Sequence, residues 1–472
     1  MAYFARHTLA KWTHGEWIQA SGSTEIKGFS IDSRRIDQND MFIALRTGVR
    51  DGHAFVVDAE KRGATAALTE HVVAASNIPQ LKVKKGVNAL QSIAKNHRSV
   101  FSGPVVGITG SCGKTSTKDL LAHLLGESRV LKTAGNLNNY LGVPLTLLRL
   151  DSEKHDYGVV EVGINMKDEM AALAEVIDAD FGIVTMIGRA HLEMLETLEN
   201  VAREKANLLR LGKQKSGVIY PASCLRYNAF RGLDETPNHV LTPIGQELPS
   251  RSWLKPINYW CLLDESERWN LFLRGDDGIQ RQFMIPNMSP GMRQNLALAV
   301  FTAGEMGVSD KLIQERLLRW YPSDNRGQIL RTDKNWIYSD CYNANPDSMR
   351  DSLKAFESSF SDTLPRLYVL GSMYELGEKA ESYHREVTAR LRIREIDHVI
   401  CLGTYADQYR VGLEYAGVPE ERVSCYDSAS KAADQVNHFE GAVFLKGSRL
   451  NRLETLIPAN ARKTVLESGK LC

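Results

Sequence analysis

The chain has 472 residues, 43% hydrophobic and 24% charged, the make-up of a folded globular protein rather than a disordered one. At about 150 residues per domain this length predicts roughly three domains, each able to bury a core without disulfide or metal staples. Lys plus Arg number 58 against 57 for Asp plus Glu, a net charge of +1, so the basic excess of a nucleic-acid binder is missing and only a local basic pocket is left open.

No apolar run reaches the roughly 18 residues a membrane-crossing helix needs, so no membrane insertion is expected. The opening MAYFARHTLAKWTHGEW has no continuous apolar stretch, and no secretory signal is expected. The 7 cysteines, Cys112, Cys224, Cys261, Cys341, Cys401, Cys425 and Cys472, are odd in number and contain no C-x-x-C pair. Neither a zinc cluster nor a disulfide framework is expected, and the reducing cytoplasm is the expected compartment.

Residues 1–102 read as a first, small mixed domain. MFIAL (41–45) and ATAAL (64–68) are expected strands, with HAFVVDAEKRG between them as a helix ending at Gly63. FSGP (101–104) is the expected linker. In the second domain, 103–322, the apolar PVVGIT precedes a glycine-rich turn and the helical pattern TSTKDLLAHLLG. YGVVEVG (157–163) and FGIVTMIG (181–188) follow, each beside a helix-like stretch, as in a parallel α/β sheet. Residues 217–285 read as strands and loops decorating this domain, and 293–320 as two helices. YPSDNRG (321–327) marks the next boundary, and in 323–472 βα alternation resumes through NWIYSD, RLYVLG, HVICLG and AVFLKG.

TGSCGKTST (109–117) joins the strand to the helix. The small residues Gly110, Ser111, Cys112, Gly113 and Ser116 let backbone N–H groups wrap a phosphate, and the helix N-terminus adds positive potential. Lys114 reaches the terminal phosphates, and the Thr115 hydroxyl holds Mg²⁺. The strict P-loop has Gly where this chain has Ile108, leaving G-x-x-G-K-T-x-T. The fold class is therefore α/β in three domains, with a central P-loop parallel-sheet ATPase domain and a Rossmann-like C-terminal domain. Glu161 ends an apolar strand at the carboxyl edge, where a carboxylate is placed to hold Mg²⁺; a salt-bridged strand end is the alternative. Asn136, Asn138 and Asn139 are denser than turn chemistry needs and form a candidate substrate loop. Arg326, at the domain junction, is a candidate phosphate clamp, and Lys446, Ser448 and Arg449 follow a strand where they can receive a carboxylate.

TGSCGKTST resembles the ATP loop of the Mur ligases, the ATP-dependent amide-forming enzymes of peptidoglycan synthesis. TAGNLNNYLGVPLTLL (133–148), EVG (161–163), AHLE (190–193) and FSIDSRRIDQNDMFIAL with DGHAF (51–55) extend the resemblance. DCYNANPDSM (340–349), LGSMYELGEKAESYHREV (370–387) and LKGSR (445–449) are similar to the members that add D-alanyl-D-alanine to UDP-N-acetylmuramoyl-tripeptide. Ser372 stands where those members carry Asp, Lys205-Ala206-Asn207-Leu208 replaces K-G-E-I, and no His precedes Asn295. The resemblance implies an acyl-phosphate mechanism with ATP and two Mg²⁺. It gives Lys114, Lys205 and His191 catalytic roles, with Thr115, Glu161, His191 and a carbamylated Lys205 around the metals and Glu193 behind them. It implies nucleotide contacts from Asn295, Arg326, Asp340, Tyr342 and Asn343. It assigns Asp32, Ser33 and Arg34 to the uridine nucleotide, and Lys446, Ser448 and Arg449 to the dipeptide carboxylate. A monomer is expected, extended when free and closing about Pro322–Gly327. The alternatives are another amino-acid ligase of the same family, or a P-loop ATP-binding switch that forms no bond.

Overall fold

The computed structural model describes residues 4–19, 25–48, 50–211, 217–233 and 237–464. Cys472 lies outside them. Within these residues the first sheet runs Glu16–Ile18, Gln80–Lys82, Ala66–Thr69, Asp40–Ile43, Gly28–Ser30, all parallel except the antiparallel edge strand Glu16–Ile18. Asp40–Ile43 and Ala66–Thr69 are buried along their whole length, as parallel strands covered on both faces must be. Helix Gly86–Val100 turns Ala89, Leu90, Ile93 and Ala94 inward at helical spacing. It also crosses to the next sheet, where His97 Nε2 lies 2.8 Å from the Leu150 carbonyl and Arg98 pairs with Asp180 at 2.7 Å. Leu9, Met41, Leu68 and Leu90 therefore share one apolar core with Val105, Leu147 and Leu173.

The second sheet has nine strands, with Val105–Thr109 between Tyr157–Glu161 and Phe181–Val184. From Val105–Thr109 the chain first builds one side, Val130–Lys132 and Tyr157–Glu161, and then crosses to the other. Such a reversal opens a crevice at the carboxyl ends of the strands, where ligands bind. Residues 217–285 continue this sheet rather than decorating it. Gly217–Pro221, Asn238–Pro243 and Leu254–Leu263 add in parallel, and Trp269–Arg274 and Gln280–Ile285 close the edge antiparallel. The reason is packing: Leu271, Leu273, Phe283 and Ile285 need cover, and Leu296, Val300 and Ala303 of helix Pro290–Glu305 supply it.

The third sheet orders Val423–Tyr426, His398–Leu402, Arg366–Gly371, Gly441–Lys446, Asn335–Ser339, Gln328–Arg331 and Arg462–Thr464. The four strands expected here are its parallel centre. No described helix is long and apolar enough to cross a membrane.

The expected extended arrangement is not what the structure has. Helix Pro346–Ser359 points its first turn at the second sheet, where Asp347 pairs with Arg189 at 2.7 Å and Asp351 accepts from the Gly291 N–H at 2.8 Å. Arg189 also pairs with Glu386 at 3.0 Å, and Ser323 Oγ donates to Asp119 at 2.6 Å across the junction. These half-buried pairs hold the third sheet against the second. Arg189→Ala removes both ion pairs but leaves Asp347 the residue-189 N–H and Glu386 its pair with Arg350, a loss of about 1 kcal/mol for partly exposed pairs. The variant is expected to show a larger radius of gyration by solution scattering; an unchanged profile would mean other contacts hold the closed form.

Candidate active site

A cleft of about 570 Å³ lies between the second and third sheets. Its floor is the segment Ser111–Ser116, which turns from Val105–Thr109 into helix Lys114–Leu125. Gly113 has φ +81°, and a Cβ there would come within 2.3 Å of Asn295 Nδ2, so only glycine lets the loop and helix Pro290–Glu305 approach this closely. Ser111 Oγ donates to the Gly188 carbonyl at 3.0 Å and accepts from the Gly188 N–H at 2.9 Å, binding the loop to the segment after Phe181–Val184. Lys114 Nζ folds back onto the Gly110 carbonyl at 2.8 Å. Burial pulls its pKa down, against the opposing pull of Glu161. Cys112 faces Asn345 with Sγ 2.9 Å from Nδ2, and burial raises its thiol, so it packs and does not act as a nucleophile.

Glu161, at the carboxyl end of its strand, is buried and fully engaged. Its carboxylate accepts from Thr115 Oγ1 at 2.7 Å and Asn138 Nδ2 at 2.8 Å, and its N–H donates to Thr133 Oγ1 at 2.9 Å. Lys118 Nζ lies 3.9 Å from it and donates to the Thr133 carbonyl at 3.0 Å. Sequence reading passed over Lys118, although its place one helical turn after Lys114 puts both on one face.

His191 has φ +55° and directs Nδ1 at 2.7 Å to Glu375, in the segment that follows strand Arg366–Gly371 of the third sheet. Burial lowers its pKa more than Glu375 raises it, so the neutral ring donates through Nδ1 and keeps a lone pair on Nε2. Glu193 meets the same segment only through its backbone, N–H to the Glu375 carbonyl at 3.3 Å. Lys205, on helix Leu198–Arg210, is 0% exposed, and its Nζ has no hydrogen-bond partner among the described residues. Burial, with Lys114 nearby, drives its pKa well below the usual lysine range. A lysine on a solvated helix face has none of these properties.

The Glu375 segment rests on His384, another residue whose role sequence reading missed. His384 Nδ1 donates to the Ala380 carbonyl at 2.6 Å, and Nε2 accepts from the Met373 N–H at 2.9 Å. The bond from the Met373 N–H needs the neutral ring, whose Nε2 keeps a lone pair, and burial pushes the pKa from 6.5 down to about 4 against the opposing pull of the Ala380 carbonyl. Between these values the unfolded chain binds the extra proton, so this stability is whole above the unfolded pKa and is lost as pH falls toward about 4. The full effect is about 3 kcal/mol. Urea unfolding over this range should show a steeper loss in the native protein than in His384→Gln; equal slopes would clear His384.

Asn295, Arg326, Asp340, Tyr342 and Asn343 all line the cleft. The Arg326 guanidinium lies 4.0 Å from the centre of the Tyr342 ring, and that of Arg449 lies 5.2 Å from it. Lys446, expected to receive a substrate carboxylate, is instead committed to Asp340: its buried ammonium pairs with Asp340 at 2.6 Å and donates to the Asn343 carbonyl at 3.2 Å. A buried cation requires such a partner. Ser448 is buried with its N–H on the Ser372 carbonyl at 3.2 Å, while Arg449 is exposed. Ser372 is itself buried, its hydroxyl donating to the Leu402 carbonyl at 3.0 Å and accepting from the Tyr405 N–H at 2.9 Å.

Of the three asparagines, Asn138 holds Glu161. Asn139 Oδ1 accepts from the Leu141 and Gly142 N–H groups at 3.1 and 2.9 Å, which is turn chemistry, and Asn136 is exposed. Asp32, Ser33 and Arg34 stay outside the cleft, in the short helical turn after strand Gly28–Ser30 of the first sheet. Asp32 pairs with Arg34 at 2.9 Å, and this bond draws its pKa down to about 2.

Three family models match along the chain: Mur ligase family, catalytic domain, over residues 25–98; Mur ligase middle domain over 108–254; and Mur ligase, glutamate ligase domain, over 325–449. UDP-N-acetylmuramoyl-tripeptide--D-alanyl-D-alanine ligase of Bacillus subtilis is 30% identical over 92% of this chain and 93% of its own length. A crystal structure of MurF from Acinetobacter baumannii superposes with a TM-score of 0.81 at 26% identity, covering 97% of this chain and 98% of that one. MurF from Thermotoga maritima in complex with ADP gives a TM-score of 0.74 at 24% identity, over 91% and 96%. The chain belongs to the Mur ligase family.

Proposed function

We propose that this chain joins D-alanyl-D-alanine to UDP-N-acetylmuramoyl-tripeptide, using ATP and releasing ADP and phosphate. The tripeptide carboxylate attacks the γ-phosphorus of ATP, ADP departs, and an acyl phosphate forms. The dipeptide amine then attacks the acyl carbon, phosphate departs, and the amine gives up its proton. The observation that carries the reading is the grouping of Lys114, Thr115, Glu161 and His191 around one cleft, with the amine of Lys205 buried close enough to act electrostatically on Lys114 and His191. An ATP-driven switch has no need of His191 or Lys205. Relatives named for this same ligation, alignable over nearly the whole chain, favour it over another amino-acid ligase.

In this scheme Gly110 to Ser116 cradle the phosphates and Lys114 meets the charge that builds on the transferring phosphoryl group. Thr115 and Glu161 offer the hard oxygen donors that suit Mg²⁺, and His191, held through Nδ1 by Glu375, would present its Nε2 lone pair to a second Mg²⁺, whose remaining ligands would be oxygens. Bound there, Mg²⁺ neutralises the repulsion between carboxylate and phosphates. A buried, neutral Lys205 amine is the form that adds carbon dioxide; the resulting carbamate, one proton lost, turns a stranded amine into an oxygen donor. Asn295, Arg326, Asp340, Tyr342 and Asn343 receive the nucleotide, with Lys446 fixing the 340–343 segment. Asp32, Ser33 and Arg34 take the uridine diphosphate, Asn136, Asn138 and Asn139 the muramoyl peptide, and Ser448 and Arg449 the dipeptide carboxylate. The reading extends to a monomer working in the cytoplasm, the compartment that holds ATP and nucleotide-linked sugars.

The test is mass analysis of products from UDP-N-acetylmuramoyl-tripeptide, ATP and a panel of amines. Product is expected with D-alanyl-D-alanine. Product only with a single amino acid would move the reading to another ligase, and phosphate release without any product would favour the switch.

A further inference from the structure

Strands His398–Leu402 and Val423–Tyr426 pair in parallel at the edge of the third sheet, and their register sets Cys401 directly opposite Cys425. Neighbouring strands lie about 4.8 Å apart, within the roughly 4.4–6.8 Å between Cα atoms that a disulfide spans. No other two cysteines among the described residues are strand partners. Cys401 is buried in the core against Tyr409 of helix Ala406–Tyr415, whereas Cys425 is exposed on the edge strand. The Cys401 thiol draws Cys425 below the usual thiol range, while Cys425 and burial together push Cys401 up. On the same helix Arg410 favours thiolate at both positions and Asp407 opposes it, so the acidity of Cys425 comes from Cys401 rather than from the helix. An accessible, acidified thiol beside a sheltered second one is the arrangement of an attacking and a resolving cysteine.

We propose that Cys401 and Cys425 form an oxidant-sensitive dithiol that a hydroperoxide closes to a reversible disulfide. Cys425 sulfur attacks the terminal peroxide oxygen, the O–O bond breaks, and Cys425 becomes a sulfenic acid as an alcohol or water leaves. Cys401 sulfur then attacks Cys425 sulfur, the S–O bond breaks, and water departs with the thiol proton. The two thiols lose two electrons in all, and the peroxide gains them. Neither cysteine lines the ATP cleft, so the chemistry is separate from ligation. The exposed edge position leaves the bridge open to thiol reductants.

The test takes the full, reduced protein through a hydrogen peroxide titration. Remaining thiols are alkylated before and after denaturation, and the digest is mapped by mass spectrometry with and without dithiothreitol. A Cys401–Cys425 linked peptide, lost on dithiothreitol treatment, is expected ahead of oxidation at the buried Cys224 and Cys341. In Cys401→Ala, with no resolving thiol, Cys425 should run on to sulfinic acid at doses where the native protein stops at the disulfide. Sulfinic acid at Cys425 with Cys401 still free in the native protein would overturn the proposal, as would two unmodified thiols across the titration.

Discussion

Replacing Lys114 with alanine is expected to lower turnover by at least about a hundred- to a thousandfold, the scale of losing one charge-stabilising group at the reacting centre. The fold should survive, because the Nζ of Lys114 bonds only the Gly110 carbonyl and carries a desolvation burden that alanine removes. Phosphate release dependent on D-alanyl-D-alanine measures the loss, and thermal unfolding checks the fold. A variant with near-normal release would mean that Ser111–Ser116 does not hold the reacting phosphates.

Lys205→Ala should be nearly as damaging, and for a reason that separates it from Lys114. The proposed carbamate supplies oxygen atoms, so acetate or another short carboxylic acid admitted to the vacated space should restore part of the activity. The same acids should do nothing for Lys114→Ala, whose lost group is a cation. The buried, partnerless amine carries this expectation. A fully active Lys205→Ala enzyme would show that the amine is a packing element alone.

The central strands were legible because buried parallel strands read as unbroken apolar runs, and the phosphate loop because its glycines are demanded by backbone geometry as well as by close approach. The edge strands Val423–Tyr426 and Arg462–Thr464 were not, since short, half-exposed segments carry no such run. The extent of the second sheet was hidden for a related reason: its outer strands show their meaning only against helix Pro290–Glu305. Among the site residues, Glu161 stood out by its place at a strand end, and the structure adds the Thr115, Asn138 and Lys118 contacts around it. Lys446 pointed the wrong way. A lysine after a strand reads as an available cation, and only the fold reveals that Asp340, 106 residues away, has claimed it. Glu375 and His384 were within a recognised segment, but their work depends on contacts with His191 and Met373 that no spacing encodes.

The account turns on activation of the substrate carboxylate by phosphoryl transfer, and one measurement addresses that step alone. UDP-N-acetylmuramoyl-tripeptide labelled with heavy oxygen in its terminal carboxylate is incubated with the enzyme, ATP and D-alanyl-D-alanine, and the released phosphate is analysed by mass spectrometry. An acyl phosphate transfers one carboxylate oxygen to phosphorus, so the phosphate should carry one heavy oxygen for each amide bond formed. Phosphate free of label, released at the same rate whether or not the dipeptide is present, would contradict the mechanism and leave ATP hydrolysis uncoupled from bond formation.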